Sequence, residues 1–466
     1  MSYGEFFAGA ERCAAVLMNI GLERGDRVAA QVAKSIEALQ LYVGSVMAGG
    51  VFLPLNTAYK TVELEHFITD AAPRVFVCDP KMEDAISALT AAEVLTLDAQ
   101  GAGSLTDAVA AEVAGELPVP RDEDDLAAIL YTSGTTGKPK GAMLSHGNLA
   151  SNSATLADLW AFTRDDVLIH ALPIFHTHGL FVATNVTLIA GGAMIFQPGF
   201  DADLVLAAMP DATAIMGVPT FYTRLLQADG LADAARNMRL FVSGSAPLLA
   251  ETHERWERVT GHRILERYGM TETNMNTSNP YDGDRRAGTV GFPLPGVDLR
   301  LTDGKGLPVA KVEPGIVEVR GPNVFQGYWN LPEKTAEELL PDGFFVTGDI
   351  GRIDGDGYLH IIGRAKDLVI TGGYNVYPKE IEVLIDAVPG VVESAVIGVP
   401  HADFGEAVVA VVVGDAIPQA ITEAIAPDLA RYKQPKKVVV VGELPRNTMG
   451  KVQKNVLRER FASEFD

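Results

Sequence analysis

One stretch of small hydroxyl residues, glycines and lysines has the composition of a polyphosphate-binding loop. It reads Tyr131-Thr-Ser-Gly-Thr-Thr-Gly-Lys-Pro-Lys-Gly141 and directly follows a predicted strand. Backbone N–H and side-chain O–H groups of such a loop can converge on an anion, because nothing bulky blocks their approach. The close spacing of Gly134 and Gly137, with Pro139 after Lys138, does not fit the P-loop pattern, so an ordinary P-loop nucleotidase is disfavoured. The alternative is a surface turn chosen only for its shape.

Five further motifs follow this loop, and together they resemble those of the adenylate-forming superfamily, which includes acyl-CoA synthetases, peptide-synthetase adenylation domains and beetle luciferases. The resemblance covers essentially the whole chain. Several motifs in a fixed order are far more specific than any one of them. The five are Ser243-Gly-Ser-Ala-Pro247, Arg267-Tyr-Gly-Met-Thr-Glu-Thr273, Thr347-Gly-Asp349, Gly363-Arg364 and Pro445-Arg-Asn-Thr-Met-Gly-Lys451.

The resemblance implies ATP and AMP contacts in all parts of the chain. The loop after Tyr131 would hold phosphates, Tyr268 would pack on adenine, and Asp349 with Arg364 would bind ribose, although an Asp in a turn is also a common backbone cap. The implied nucleotide-binding residues are Thr132, Ser133, Gly134, Thr135, Thr136, Gly137, Lys138, Gly244, Ser245, Ala246, Glu266, Arg267, Tyr268, Gly269, Met270, Thr271, Asp349 and Arg364.

The resemblance also implies a catalytic set of Lys451, Glu272, Thr271 and His176. Attack of a carboxylate on the α-phosphate builds negative charge, and a donor-only lysine suits that charge. Glu272 offers an oxygen ligand to Mg²⁺, which takes one or two carboxylates and fills its shell with phosphate and water. The structural alternatives are a solvated surface lysine for Lys451 and a helix-capping role for Glu272.

The histidine pair in Pro173-Ile-Phe-His-Thr-His-Gly179 resembles a motif that lines the acyl pocket, with His176 near the substrate. A spacing of two residues matches neither one helical face nor the usual zinc spacings, and no third ligand is evident. A packing histidine is the stronger alternative to pocket lining, and a metal ligand the weaker one.

For the second half-reaction, the resemblance implies that the C-terminal domain rotates so that Gly372, Gly373 and Tyr374 help to form a tunnel for the pantetheine arm of coenzyme A. Lys366 occupies the position of the hinge residue. Glycines in a tunnel wall allow close backbone approach, and a hinge needs only a few residues. The basic run from Arg431 to Lys437 is interpreted either as a contact to CoA phosphates or as a solvated loop.

The acid is expected to be a small dicarboxylate, malonate first and methylmalonate second. Residues 270–280 and 285–291 resemble the malonyl-CoA synthetase branch, in which an arginine meets the distal carboxylate. Arg286 is the first candidate for that arginine; Arg239 is the second, and it could equally pair with a structural acid. Thr177 and Met275, with His176, would set the room at the α-carbon.

Other readings stay open at the sequence level. Within the family, the rivals are a ligase for a short-chain or aryl monocarboxylate and an adenylation domain that serves a carrier protein. A nucleotide-binding protein of the same fold without catalysis belongs to another functional class, because a fold alone does not establish activity. Retention of Lys451 and Glu272 disfavours it.

Composition limits the possible partners. A formal charge of -22, from 38 basic and 60 acidic residues, disfavours nucleic acid and an anionic membrane surface. Cys13 and Cys78 have no paired spacing, so a disulfide scaffold is not expected.

No secretory signal is visible, and a cytoplasmic location is expected. Residues 177–200 lack charge, but Asn185 and Gly191-Gly192 favour a buried helix leading to a buried strand over a membrane span. Relatives usually carry additional residues before Ser2, so a shortened amino terminus is expected.

From residue 126 onward, short apolar runs alternate with helical patterns, which predicts an α/β fold with mostly parallel sheets and ligand loops at the carboxyl ends of strands. The predicted strands are 127–131, 167–172, 193–196, 214–217, 240–243, 315–320, 357–362, 395–399 and 407–413, and the predicted helices are 154–160, 202–209, 220–227 and 248–259.

The pattern changes near residues 363–367, where turn-rich short strands give way to a compact βαβ-like pattern. We therefore predict an N-terminal domain of residues 1–364 and a C-terminal lid of residues 365–466, joined by a short charged hinge. By the resemblance, the first consists of stacked α/β subdomains with a distorted β-barrel, and the second is a small mobile α+β domain. The oligomeric state cannot be inferred.

Overall fold

A computed structural model describes residues 1–113, 118–132, 139–310, 312–446 and 451–465. The chain divides into two compact units: Met1–Asp298 with Val319–Phe345, and Leu299–Glu318 with Val346–Asp466. The second unit therefore includes strands on the amino-terminal side of the predicted boundary at 364/365. That boundary marks a proposed hinge rather than a packing unit, and it stays a prediction.

The first sheet of unit 1 has six strands in the order β4-β3-β1-β2-β5-β6, and only β6 runs antiparallel to its neighbour. Its short inner strands are continuous apolar runs because helices cover both faces. The elements are α1 Tyr3–Asn19, β1 Arg27–Gln31, α2 Ile36–Met47, β2 Val51–Pro54, α3 Thr61–Ala71, β3 Val75–Cys78, α4 Glu83–Ser87, β4 Glu93–Thr96, α5 Ser104–Ala111, β5 Leu126–Thr132, β6 Lys140–Ser145 and α6 His146–Leu159.

The second sheet of unit 1 has seven strands in the order β13-β12-β11-β10-β9-β7-β8, parallel from β8 to β11. Loops after β9, β10 and β11 therefore emerge on one edge, where ligands of parallel sheets bind. The elements are β7 Val167–His170, α7 Asn185–Ala190, β8 Ala193–Phe196, α8 Ala202–Ala208, β9 Ala214–Gly217, α9 Pro219–Leu225, α10 Leu231–Ala234, β10 Leu240–Ser243, α11 Ala250–Thr260, β11 Leu265–Met270, β12 Asn274–Ser278 and β13 Phe292–Pro293.

A third sheet has four strands in the order β14-β15-β16-β17. The elements in this part of the chain are β14 Asp298–Thr302, β15 Gly315–Arg320, α12 Pro332–Glu338, β16 Phe345–Ile353 and β17 Leu359–Arg364. Among the described strands this sheet does not close on itself. The expected distorted barrel is therefore not found, because β14 and β17 are edge strands and do not pair with each other.

The last sheet has its strands in the order β19-β18-β21-β20, with β22 also paired to β21. Its elements are β18 Val369–Thr371, β19 Tyr374–Val376, α13 Pro378–Asp386, β20 Val391–His401, β21 Gly405–Gly414, α14 Pro418–Ile425, β22 Lys437–Val441 and α15 Lys454–Arg460. The predicted strands at 395–399 and 407–413 lie within β20 and β21, which form an antiparallel hairpin, and the βαβ-like unit is β21-α14-β22, whose two strands are parallel.

Strand β21 is continuously apolar from residue 407 to 413, because both faces of the sheet are covered there. Its residues Val408, Ala410 and Val412 pack with α13 and α14 on one face. Ala407, Val409 and Val411 pack on the other face with Leu457 of α15 and with Phe461, the residue just after the helix. Leu457 and Phe461 thus attach α15 and its end to the sheet.

Most of the sequence-based elements are confirmed. Strands 193–196, 214–217, 240–243 and 315–320 have the predicted bounds, whereas the predicted helix at 154–160 is the end of the longer α6. Residues 178–184 form a π-helical turn that continues into α7. Strand β8, expected to be buried, is partly exposed. Within the described ranges, no helix combines the length and apolar composition that crossing a bilayer requires.

We expect Leu457→Ala to destabilise the protein by about 2–5 kcal/mol, because it removes a fully buried side chain from the sheet face that holds α15. Urea unfolding of the full chain measures this. The matched control is Val456→Ala on the same helix, where the side chain is 37% exposed. Equal effects of the two substitutions would contradict the packing described.

Candidate active site

The predicted phosphate residues Ser133, Gly134, Thr135, Thr136, Gly137 and Lys138 lie outside the described residues. The strands on either side are described: Thr132 ends β5 and pairs with Lys140, the first residue of β6. The Lys140 ammonium lies 3.4 Å from the Glu338 carboxylate and 3.9 Å from the centre of the Tyr328 ring. This lysine thus adds positive charge next to the predicted phosphate loop while bonded to an acid.

Glu272 is the one buried carboxylate predicted to hold Mg²⁺, and it lies in the turn between β11 and β12. Tyr328 Oη lies 3.0 Å from Glu272 Oε1 and 2.6 Å from Glu338 Oε2. Burial, followed by the charge of Glu272, raises the pKa of Tyr328, so the hydroxyl keeps its proton. Because it has one proton, it donates to one carboxylate at a time.

The donor set around Glu272 fits a magnesium ion that enters with the nucleotide. No group of three or more acidic, histidine or cysteine side chains gathers around a common point in the described part of the chain. Thr273 Oγ1, next to Glu272, is buried without a hydrogen-bond partner. A single buried carboxylate matches Mg²⁺, which takes one or two carboxylates and keeps water and substrate phosphates in its shell.

Buried polar atoms without partners are concentrated in the motif segments. Native structures contain few such atoms, and each needs an explanation such as a missing ligand. In the described residues of these segments they are Thr177 Oγ1, His178 Nε2, Ser243 Oγ, Glu266 Oε1, Arg267 Nε and Nη2, Thr273 Oγ1, Asn274 Oδ1 and Nδ2, and Asn276 Nδ2.

Arg267 is the most demanding member of this set. Arg267 is only 3% exposed, and neither its Nε nor its Nη2 has a hydrogen-bond partner among the described residues. Burial lowers the pKa of its guanidinium to about 9. The group packs on Gly244, where a β-carbon would lie 2.4 Å from the guanidinium carbon. A buried cation of this kind is costly without an anion, and no acidic side chain of the described residues lies close enough to offset its burial.

His178, which the sequence did not single out, lies beside Arg267. It is 1% exposed, and its Nδ1 lies 3.3 Å from Ser245 Oγ. Burial first, and then the charge of Arg267, lowers the pKa of His178 well below its ordinary value, so the ring is neutral. Ser245 has φ 68°, a left-handed conformation that is strained for a residue with a β-carbon. His176, the predicted member of the pair, is less buried and accepts at Nδ1 from the His178 N–H at 3.3 Å.

Thr177 and Met275 are both only 2% exposed, and Thr177 Oγ1 has no partner. Met275 lies opposite Gly269 in the β11–β12 pair, and a β-carbon at Gly269 would lie 2.7 Å from Met275 Cε. The motif glycine therefore makes room for the methionine. Both residues remain candidates for shaping the acid pocket.

The two arginines that the sequence proposed for the acid have acidic partners in the chain. Arg239 bonds to Asp166 at 2.7 and 2.8 Å and also donates to the Trp160 and Ala161 carbonyls. These contacts favour the structural alternative for Arg239. Arg286 Nε lies 2.9 Å from Asp284, with its side chain 34% exposed. Neither has the burial of Arg267, which the sequence assigned to the nucleotide.

Glu266 directly precedes the motif that begins at Arg267. Its side chain is buried, and its Oε1 lies 3.9 Å from His253 Nδ1. Burial raises its pKa to about 8, although N–H donors of Gly288 and Leu248 oppose the shift. The carboxyl group is therefore neutral below this pH. Of the other predicted nucleotide residues, Ala246 is exposed and Tyr268, Met270 and Thr271 are half-buried.

In unit 2, the structure brings together the two predicted ribose residues. Asp349, 3% exposed, pairs across β16 and β17 with Arg364, whose Nε lies 2.7 Å from Asp349 Oδ1. Gly348 before it has φ 71°. Lys366, the proposed hinge residue, is exposed in a 3₁₀ turn, Ala365–Asp367.

The proposed tunnel residues form a tight hairpin turn between β18 and β19. Gly372 and Gly373 have φ 56° and 81°, the left-handed values that a two-residue hairpin loop requires. Tyr374 is 60% exposed, with its ring 4.8 Å from that of Tyr432. In the basic run, Lys433 lies 2.6 Å from Glu380, which favours a structural role for that residue.

Lys451 is exposed, and it directly precedes a described backbone pair, the antiparallel bridge between Val452 and Arg446. The residues just before it, 447–450, are outside the described part.

The raised pKa of Glu266 predicts a pH dependence of stability. Its pKa rises from about 4.5 to about 8 on folding, so its stabilising effect is fully present below pH 4.5 and is lost as the pH rises to 8. We expect Glu266→Gln to flatten the fall in unfolding free energy between these pH values. Urea titrations at several pH values measure this, with exposed Glu251→Gln as control. A slope unchanged by Glu266→Gln would contradict the assignment.

The chain is similar to known protein families, to characterised enzymes and to solved structures. The AMP-binding enzyme family matches residues 1–329, and the AMP-binding enzyme C-terminal domain matches residues 380–451. A malonate–CoA ligase of Arabidopsis thaliana is 35% identical over 489 residues, covering 95% of this chain and 79% of that protein. A feruloyl-CoA synthase of an Amycolatopsis species is 36% identical over 471 residues, covering 99% and 94%. The crystal structure of ATP-bound MatB from Rhodopseudomonas palustris is similar with 62% identity and a TM-score of 0.98, covering 100% of this chain and 94% of that one.

Proposed function

Because this chain belongs to the AMP-binding enzyme family, we propose that it is an ATP-dependent, AMP-forming ligase that joins malonate to coenzyme A. Support for the ligase activity comes from the CoA ligases among its relatives, which it matches over nearly its whole length. Support for malonate comes from the malonate–CoA ligase of Arabidopsis thaliana. Relatives of similar identity include a feruloyl-CoA synthase, so a monocarboxylate remains the alternative acid.

The observation that carries the choice of malonate is the buried Arg267 guanidinium. A dicarboxylate presents a second anion when its first carboxylate reacts, and two parallel N–H···O bonds to a carboxylate satisfy the Nε and Nη2 donors together. An aliphatic or aryl chain would leave that charge buried without a partner. Arg267 is therefore proposed for the distal carboxylate, in place of Arg286 and of a nucleotide contact.

The pocket around Arg267 fits a small acid. His178 and Thr177 contribute buried polar atoms that lack hydrogen-bond partners among the described residues. The Met275 side chain lies against Gly269. A neutral His178 beside a cation can accept a hydrogen bond or donate one without adding charge. Room for one methyl group at the α-carbon would decide between malonate and methylmalonate.

The reaction runs in two steps. A carboxylate oxygen of malonate attacks the α-phosphorus of ATP, the bond to pyrophosphate breaks, and malonyl-AMP forms. The thiol sulfur of coenzyme A then attacks the acyl carbon, AMP leaves with the bonding electron pair, and the thiol proton passes to solvent. Lys451 is the proposed donor to the charge that develops in the first step. Mg²⁺ bound with ATP neutralises phosphate charge, and Glu272 is the residue that would hold it.

The test of this function is the formation of AMP and acyl-CoA with ATP, Mg²⁺ and coenzyme A over a panel of acids. The panel contains malonate, methylmalonate, succinate, acetate, butyrate, octanoate and benzoate. Malonate in first place supports the proposal. A monocarboxylate in first place would reject malonate and keep the ligase. Tight ATP binding without pyrophosphate exchange for any acid would instead support a non-catalytic nucleotide-binding protein.

We predict that Arg267→Met lowers kcat/KM for malonate by about 10- to 100-fold, the effect of losing hydrogen bonds between charged groups. Activity with acetate or butyrate should not fall, because these acids lack the distal carboxylate. The KM for ATP is measured alongside, and a large rise there would return Arg267 to nucleotide binding.

Arg286→Ala is the matched comparison for that variant, since Arg286 is the arginine first indicated by the sequence. Because Arg286 already pairs with Asp284, we expect this substitution to have only a small effect on malonate activity. A larger loss of malonate activity in Arg286→Ala than in Arg267→Met would assign the distal carboxylate to Arg286.

We further predict that Lys451→Ala abolishes formation of malonyl-AMP but leaves transfer from preformed malonyl-AMP to coenzyme A largely intact, because Lys451 is proposed to act only on the phosphate chemistry. Pyrophosphate exchange and single-turnover thioester formation measure the two steps separately. Equal loss of both would reject this division of labour.

A further inference from the structure

The chain just after Lys451 is fixed to the chain before it by backbone contacts. Val452 forms an isolated antiparallel bridge with Arg446, and the Gln453 N–H donates to the Pro445 carbonyl at 2.8 Å. Helix α15 begins at Lys454. Lys451 therefore lies one residue from a closed backbone pair and three residues from the start of a helix, and the position of that helix controls where Lys451 can reach.

The first residue of α15 forms an ion pair with a buried carboxylate. Lys454 Nζ lies 2.5 Å from Oε1 of Glu382 on α13, and Glu382 is only 6% exposed. The same carboxylate oxygen accepts from the Val396 N–H of β20 at 2.9 Å. An ion pair to a buried, hydrogen-bonded carboxylate fixes geometry more strictly than a surface pair, because the Glu382 charge alone would be costly to bury.

Further along, α15 has independent contacts that hold it in place. Leu457 and Phe461 pack on the sheet, and Arg458 pairs with Asp367, the last residue of the 3₁₀ turn that contains the proposed hinge residue Lys366. These contacts would hold the helix without Lys454. The Lys454–Glu382 pair, in contrast, fixes the end of the helix nearest to Lys451.

We propose that Glu382 and Lys454 are positioning residues for Lys451: their ion pair sets where the proposed catalytic ammonium lies during formation of the acyl-adenylate. The inference rests on the proposed function of Lys451 as the donor in that step. A reacting group misplaced by about 1 Å can cost about 100-fold in rate, so a loosened helix start is enough to slow the chemistry.

The test compares the two half-reactions in Lys454→Met, which keeps most of the aliphatic stem and removes the ammonium. We expect kcat for pyrophosphate exchange to fall about 10- to 100-fold and thioester formation from preformed acyl-AMP to stay within about two-fold. Lys454→Arg should restore most of the exchange rate. Glu382→Gln, which retains the shape of the acceptor, is the second variant and should show the same split.

The matched control is Lys379→Met. Lys379 also pairs with Glu382, at 3.8 Å, but it lies on α13 itself and has no connection to the segment that carries Lys451. Both half-reactions should be unchanged in this variant. A loss in Lys379→Met equal to that in Lys454→Met would overturn the proposal, because the charge of the site, and not the position of α15, would then matter.

A stability measurement separates positioning from misfolding. Lys454→Met should keep a Tm close to that of the unchanged protein, because Leu457, Phe461 and Arg458 still hold α15 in place. An equal fall in both half-reactions together with a lower Tm would overturn the proposal, as would no change in either half-reaction. The half-reactions are measured with the acid that the panel ranks first, so a wrong assignment of malonate would leave this test intact.

Discussion

A buried guanidinium with no anion beside it among the described residues is the constraint on which the first unit's site depends. Arg267 lies in β11 between the glycine of one motif and a neutral histidine of another, and none of these neighbours carries negative charge. The desolvation of a cation costs several kcal/mol unless an anion or hydrogen bonds offset it. On the proposed assignment of Arg267 to the distal carboxylate, this cost is offset when a dicarboxylate binds, and a monocarboxylate leaves it in place.

The second unit follows a different design, in which a sheet buried on both faces holds separate functional segments. Alternate residues of β21 face two different hydrophobic clusters, so α13 and α14 pack on one side and α15 on the other. The Lys454–Glu382 pair joins the start of α15 to α13. The pair therefore fixes the start of α15, three residues after Lys451, the proposed donor in adenylate formation.

Two motif glycines matter because they lack a β-carbon and so let a neighbouring group come close to the backbone. Gly244 leaves room for the Arg267 guanidinium, and Gly269 leaves room for Met275; a β-carbon at either position would overlap its neighbour. Gly372 and Gly373 act differently, since both have positive φ in the turn between β18 and β19. The glycines of the motifs therefore have separate physical causes, which a sequence pattern records only as the same residue type.

The sequence by itself determined the family, the order of motifs, and most strands from residue 126 onward, because short apolar runs with turn residues between them are local signals. It also placed Asp349 and Arg364 in one function, and the structure pairs them across two strands. Only the tertiary structure decided which of Arg239, Arg267 and Arg286 has buried donors without hydrogen-bond partners among the described residues. The sequence suggests Arg239 as a ligand, whereas in the structure it bonds to Asp166, 73 residues earlier in the chain. The sequence suggests Arg267 as part of a nucleotide motif, whereas in the structure it is buried against Gly244. Burial and pairing depend on contacts between distant segments, and no local pattern of residue types contains them.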